Sequence, residues 1–157
     1  MSRFTITDAA FPRDTEAVRH LFRAYATWLG VDLDFQDFEA ELATLPGRYA
    51  PPGGALLLLR DADGRAVGCV AMRALADGAC EMKRLYLDGA ARGSGQGRAL
   101  ADAIVARARA AGYRRMVLDT LDHMGAALRL YDRMGFHGVE AYYHNPLPGA
   151  VYLGLDL

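Results

Sequence analysis

The chain is poor in the residues that most reactive or cross-linked sites use: its 157 residues include two cysteines, Cys69 and Cys80, and two serines, Ser2 and Ser94. Two cysteines are too few for a disulfide framework and lack metal-ligand spacing, so a reducing, cytoplasmic setting is expected. Both lie in apolar strand contexts, where cysteine acts as a small buried hydrophobe. Neither serine sits in G-x-S-x-G, which excludes the common α/β type of serine hydrolase. His20, His123, His137 and His144 show no H-x-x-x-H or clustered Cys/His pattern, so no metal site is expected. Charge of one sign is also lacking, with a formal net charge of -1, so the chain lacks the electrostatic footprint of a dedicated nucleic-acid binder. No apolar run approaches a membrane span, and no basic-then-apolar leader opens the chain; a membrane role is not expected. What is present is a globular composition, 52% hydrophobic and 24% charged, of a length that suits one domain.

The order of elements follows from periodicity and turn chemistry. Phe4 to Thr7 alternates as a short strand. Val18, Leu21, Phe22, Tyr25 and Leu29 then recur at helical spacing up to Gly30, and Asp34 is a candidate cap for a second helix carrying Phe38, Leu42 and Leu45. Asp32, Asp34, Asp37, Glu39 and Glu41 cluster there, either as a solvated helix face or as an attraction for a cationic substrate. After the Pro-Pro-Gly-Gly break at 51–54, "ALLLLR", "AVGCVAMRA" and "CEMKRLYL" read as three strands joined by Asp63-Gly64 and Asp77-Gly78 turns, an antiparallel meander. A glycine-rich loop, an alanine-rich helix ending at Gly112 and the strand "RRMVLDT" complete a βαβ unit, which requires a parallel pair. A last helix carries Ala127, Leu130, Tyr131 and Met134 inward and stops at Gly135, and "FHGVEAYY" and "VYLGLDL" supply closing strands. The expected class is α/β: a mixed, mostly antiparallel central sheet with one parallel βαβ unit and helices on both faces, as a single domain over 1–157.

In "ARGSGQGRAL", glycines at 93, 95 and 97 lie between Arg92 and Arg98 and run into the helix. Unpaired N–H groups at a helix start carry the positive end of its dipole, and glycine lets an anion approach them. The loop therefore suits a phosphate. A nucleoside triphosphate loop would end in Gly-Lys-Ser/Thr, whereas Gly97 is followed by Arg98 and Ala99. A dinucleotide fingerprint would need G-x-G-x-x-G, which these spacings do not supply, although Asp119 ends the next strand; it stays as a distant alternative.

Arg92-Gly93-Ser94-Gly95-Gln96-Gly97 resembles the R/Q-x-x-G-x-G/A signature of the GNAT superfamily of N-acetyltransferases, and "ALRLYDRMGF", Ala127 to Phe136, resembles that family's A-x-x-L-Y-x-x-x-G-F segment. The order of elements is similar over nearly the whole chain. The resemblance implies that Arg92, Gly93, Ser94, Gly95, Gln96, Gly97 and Arg98 wrap the diphosphate of acetyl-coenzyme A, the cosubstrate. Gln96 stands where the family more often has an apolar residue, and Met124 where it often has a cofactor-touching asparagine, a contact left to another group such as Asp122 or His123.

Transfer of an acetyl group from a thioester to an amine needs a neutral amine, a place for the developing oxyanion and a proton for the leaving thiolate. Glu81 stands where several relatives carry a catalytic glutamate and is the candidate base; its alternative is a carboxylate paired with an arginine on the strand. Tyr131, which the resemblance sets beside the thioester sulfur, is the candidate acid, since a phenol can protonate a thiolate. Met82 and Leu85 are both apolar yet fall on opposite faces under strict alternation, so a β-bulge is expected between them. The resemblance makes the main-chain groups of Leu85 and Leu87 the partners of the pantetheine arm. The expected function is acetyl-CoA-dependent N-acetylation of a primary amine, on a small molecule or protein, by direct attack; the alternative is a non-catalytic coenzyme A-binding or sensing module. A monomer or a homodimer is expected.

Overall fold

Alternating apolar residues and glycine turns produce seven strands in the computed structural model, which describes residues 3–157 and so leaves Ser2 outside. They are β1 (Thr5–Asp8), β2 (Ala55–Arg60), β3 (Ala66–Ala74), β4 (Ala79–Leu87), β5 (Arg115–Leu121), β6 (His137–Gly138) and β7 (Ala150–Asp156). Their order in the sheet is β1-β2-β3-β4-β5-β7-β6. Only β4 and β5 run parallel. The four α-helices are α1 (Thr15–Leu29), α2 (Phe38–Ala43), α3 (Gln96–Ala110) and α4 (Gly125–Met134). None is long and apolar enough to cross a membrane among the described residues.

Two apolar layers flank the sheet. On one face, Leu57, Leu59, Val70, Met72, Met82, Met116 and Leu118 pack under Leu100, Ile104 and Ala108 of α3 and Tyr131 of α4. On the other, Leu56, Leu58, Cys69, Ala71 and Tyr86 pack under Val18, Leu21 and Phe22 of α1 and Phe38 and Leu42 of α2. Period-2 alternation along β2 sorts its leucines between the layers, which is why "ALLLLR" is apolar throughout.

The expected bulge is present and explains the pattern that suggested it. Ala71 pairs with Lys83 and Cys69 with Tyr86, so three steps on β4 oppose two on β3. The extra residue returns both Met82 and Leu85 to the α3 layer. Arg84 takes a left-handed conformation, φ 63°, which costs a non-glycine residue about 1–2 kcal/mol. The Cys69 thiol donates to the Arg84 carbonyl at 3.1 Å and so satisfies a backbone group that the bulge displaces.

Two expectations need correction. Asp34 does not cap α2: residues Asp34–Gln36 form a separate 3-10 turn, and α2 begins at Phe38 after a left-handed Asp37. The short apolar run there holds one and a half helical turns, and Leu45 lies beyond it. The expected strand "FHGVEAYY" shrinks to His137–Gly138, because the chain leaves the sheet edge and folds back over it through residues 139–149.

Candidate active site

The parallel ladder of β4 and β5 ends almost as soon as it begins, pairing Ala79, Cys80 and Glu81 with Arg115, Met116 and Val117. Beyond it the strands part, and a cleft opens between Met82–Leu85 on β4 and Leu118–Leu121 on β5. Tyr25 and Leu29 of α1, Gln36, Tyr131 of α4 and Asn145 complete its walls. A bulge on one strand of a pair that must separate supplies the bend, so the same sequence feature sets both the register and the opening.

Tyr131 packs in the core and also reaches the cleft. Its ring belongs to the α3 layer, tilted against Phe136 at 5.5 Å between centroids. Its side chain also lines the cleft, and its hydroxyl makes no hydrogen bond among the described residues. Burial, with smaller contributions from Tyr25 and Asp119, pushes its pKa above the usual phenol value, so the phenol keeps its proton.

Glu81 is wholly buried. Arg73 Nε donates to its Oε1 at 2.8 Å and the Tyr142 hydroxyl to its Oε2 at 2.6 Å. Both the arginine partner that its alternative reading anticipated and a phenol from a distant loop are therefore in place. Burial and then the Glu81 charge raise the Tyr142 phenol. Beside it, Tyr143 donates to Asp119 on β5, as does Asn145 Nδ2 at 2.8 Å, and Gln36 Nε2 donates to the Tyr143 hydroxyl at 3.0 Å. The 139–149 loop is thus pinned across both strands of the cleft.

The glycine loop lies at the far end of β4. Gly93 and Gly95 adopt φ 76° and 80°, and a Cβ built on either meets nothing within 4 Å, so the turn is open to a ligand. Gly95 occupies the N-cap of α3 and offers no side chain to its N–H groups. An adjacent surface depression is lined by Arg3, Arg92, Gly93, Ser94 and Gln96. These groups fit a diphosphate. Arg92 also fastens the loop, since its Nε donates to the Leu87 carbonyl at 3.0 Å while its guanidinium lies over Trp28 and Tyr86. That bond occupies one of the main-chain groups assigned to the pantetheine arm. Ser94 Oγ donates to the Ala91 carbonyl, and Arg98 pairs with Asp102 one turn along α3. Leu85 lines the cleft directly, whereas Leu87 and Gly97 do not.

The acetyltransferase (GNAT) family model matches residues 15–136. The chain belongs to that family. An uncharacterised N-acetyltransferase of Schizosaccharomyces pombe is 41% identical over 157 residues, covering 99% of this chain and 96% of that protein. The N-acetylaspartate synthetase of Rattus norvegicus is 34% identical over 110 residues, 69% of this chain and 37% of that protein. The crystal structure of a candidate acyl-CoA N-acyltransferase from Klebsiella pneumoniae superposes with a TM-score of 0.77 at 31% identity, covering 98% of this chain and 97% of that one. This GNAT protein is accordingly an N-acetyltransferase with the family's mixed sheet.

Several of its cleft residues carry no motif and were not anticipated: Lys83, Arg84, Asp119 as a loop anchor, and Gln36. Alternation held a partial signal, for Glu81 and Lys83 are two apart on one strand and share a face. The cysteines are not part of the chemistry; burial pushes the Cys69 and Cys80 thiols up to about 12. Asp122 and His123 are largely exposed and stand outside the lining of the cleft. No group of three His, Cys, Asp or Glu that could hold a metal occurs among the described residues.

Proposed function

We propose that the protein transfers an acetyl group from acetyl-CoA to a primary amine by direct attack in the β4–β5 cleft. The observation that carries this reading is the Tyr131 side chain on the wall of the cleft where the strands separate, its phenol held protonated by its surroundings and without a hydrogen bond among the described residues. The open turn at Gly93 and Gly95 and the start of α3 hold the donor's diphosphate. Main-chain groups of Leu85 and its neighbours align the thioester along the free edge of β4. The amine nitrogen bonds to the acyl carbon as the carbon–sulfur bond breaks. Glu81 receives the amine's proton through the Tyr142 hydroxyl or a water, and Tyr131 gives its own to the departing sulfur. The acceptor is an amine of a small molecule or a protein; the rat relative is named for a small amino-acid product.

Replacing Tyr131 with Phe tests the assignment. The expected result is a fall in kcat of roughly 100-fold or more, with calorimetric acetyl-CoA affinity preserved. Unchanged turnover rejects the acid role.

A further inference from the structure

The acidic cluster that hinted at a cationic acceptor does not face the cleft as free charge. Glu41 grips the Arg84 guanidinium through two hydrogen bonds of 2.9 and 3.0 Å, and Glu39 pairs with Arg23. The group left without a full set of partners is a cation. Lys83, the one lysine in the chain, is 7% exposed and lines the cleft. An ammonium has three donors. Its one hydrogen bond is a long one of 3.3 Å to Gln36 Oε1, an oxygen that Arg84 Nη1 already holds at 2.8 Å. No carboxylate lies within salt-bridge distance of its Nζ among the described residues.

Burying a charge with donors unfilled is unfavourable unless a ligand completes them. We propose that Lys83 binds the carboxylate of the acceptor, so that the substrates are small amino acids rather than simple amines or polyamines. The inference rests on N-acetyl transfer occurring in this cleft. Its geometry follows from the strand: Glu81 and Lys83 share a face with Cα atoms about 7 Å apart. Glu81 and Tyr142 lie outside the lining of the cleft, so the acceptor sits with its carboxylate on Lys83 and its amine on the Glu81 side, one to three carbons away. A polyamine in the same place would set its second charge against Lys83 and Arg84. The bulge matters here, because it brings Lys83 and Arg84 to one face and so makes this end of the cleft cationic.

The test compares acetyl-CoA-dependent thiol release with matched acceptors: glycine against glycinamide, β-alanine against ethylamine, and aspartate against asparagine and spermidine. Calorimetry of acetyl-CoA binding runs alongside. Expected is a kcat/KM at least ~10-fold higher for the acceptor carrying the carboxylate at the preferred spacing than for its uncharged partner. Lys83→Met raises the amino-acid KM by roughly 10- to 100-fold and abolishes the preference, and Lys83→Arg restores part of it. Acetyl-CoA binding is the same in all three proteins. Equal kcat/KM within every pair, a preference for spermidine, or a Lys83→Met enzyme that keeps its preference overturns the proposal while leaving N-acetyl transfer intact. Silence across the panel with acetyl-CoA still bound overturns the transfer reading as well.

Discussion

The two faces of the sheet are built on different principles. Beneath α3 and α4 the buried layer is apolar, and the polar group it contributes to the cleft is the Tyr131 hydroxyl at its margin. Beneath α1 and α2 the layer contains Glu81, Lys83 and Arg84, all less than a tenth exposed. The first face derives its stability from burying hydrocarbon. The second holds charges that packing alone would not favour, each matched to a partner except Lys83. A fold that needed only stability would fill both layers alike, and the difference is what the proposed polar acceptor on the second face requires. The strain at Arg84 points the same way, for left-handed non-glycine residues persist where surrounding contacts over-determine them. Here those contacts are Glu41, Gln36 and the Tyr25 and Phe38 rings.

Breaking one partner on each face gives the largest effects. Glu41→Ala leaves a buried guanidinium short of its counter-ion and is expected to cost about 3–5 kcal/mol. Leu100→Ala, on the apolar face, is expected to cost about 2–5 kcal/mol through a cavity. Urea unfolding of both measures them. The faces separate in the double variant Glu41→Leu with Arg84→Met, which recovers most of the loss because neither charge remains. If the double variant is as unstable as Glu41→Ala, the ion pair does more than neutralise itself.

Lys83 sharpens the contrast in the opposite direction. Burial, then the Arg84 charge, lowers its ammonium from 10.5 to about 8. The folded protein releases that proton near pH 8, while the unfolded chain keeps it until about 10.5. The unfolded state thus binds more protons between those values, and this group makes the ligand-free protein more stable as pH rises through them. Lys83→Met is expected to raise stability below pH 8 by on the order of 3 kcal/mol, with the gain shrinking toward pH 10.5. Parallel thermal melts of the two proteins check it; equal stability across that range refutes the buried charge. The smallest effect belongs to neither face. Gly93→Ala strains the φ of 76° by about 1–2 kcal/mol, and weaker acetyl-CoA binding by calorimetry accompanies it.

Much of the framework was legible because its signals are local. Asp63-Gly64 and Asp77-Gly78 marked the meander, the glycine loop and alanine-rich run marked the β4–α3–β5 crossover, and the Met82/Leu85 conflict located the bulge. The loop after β6 was not legible. Its aromatic residues read as strand, yet Tyr142 and Tyr143 leave the sheet to reach Glu81 and Asp119, 61 and 24 residues away in sequence. The helix expected from Asp34 failed for a related reason: Gln36 is held by contacts to Arg84 and Tyr143 that no local propensity encodes.

The sequence by itself determined the order of elements, the two-layered sheet, the family and the glycine-rich loop before α3, because periodicity, glycine and turn residues act over a few positions. Only the tertiary structure decided that Glu39 and Glu41 pair with arginines and that Lys83 is buried without a counter-ion. Charge balance in a cleft depends on which side chains meet across distant segments, and that depends on how the strands part and what folds over them.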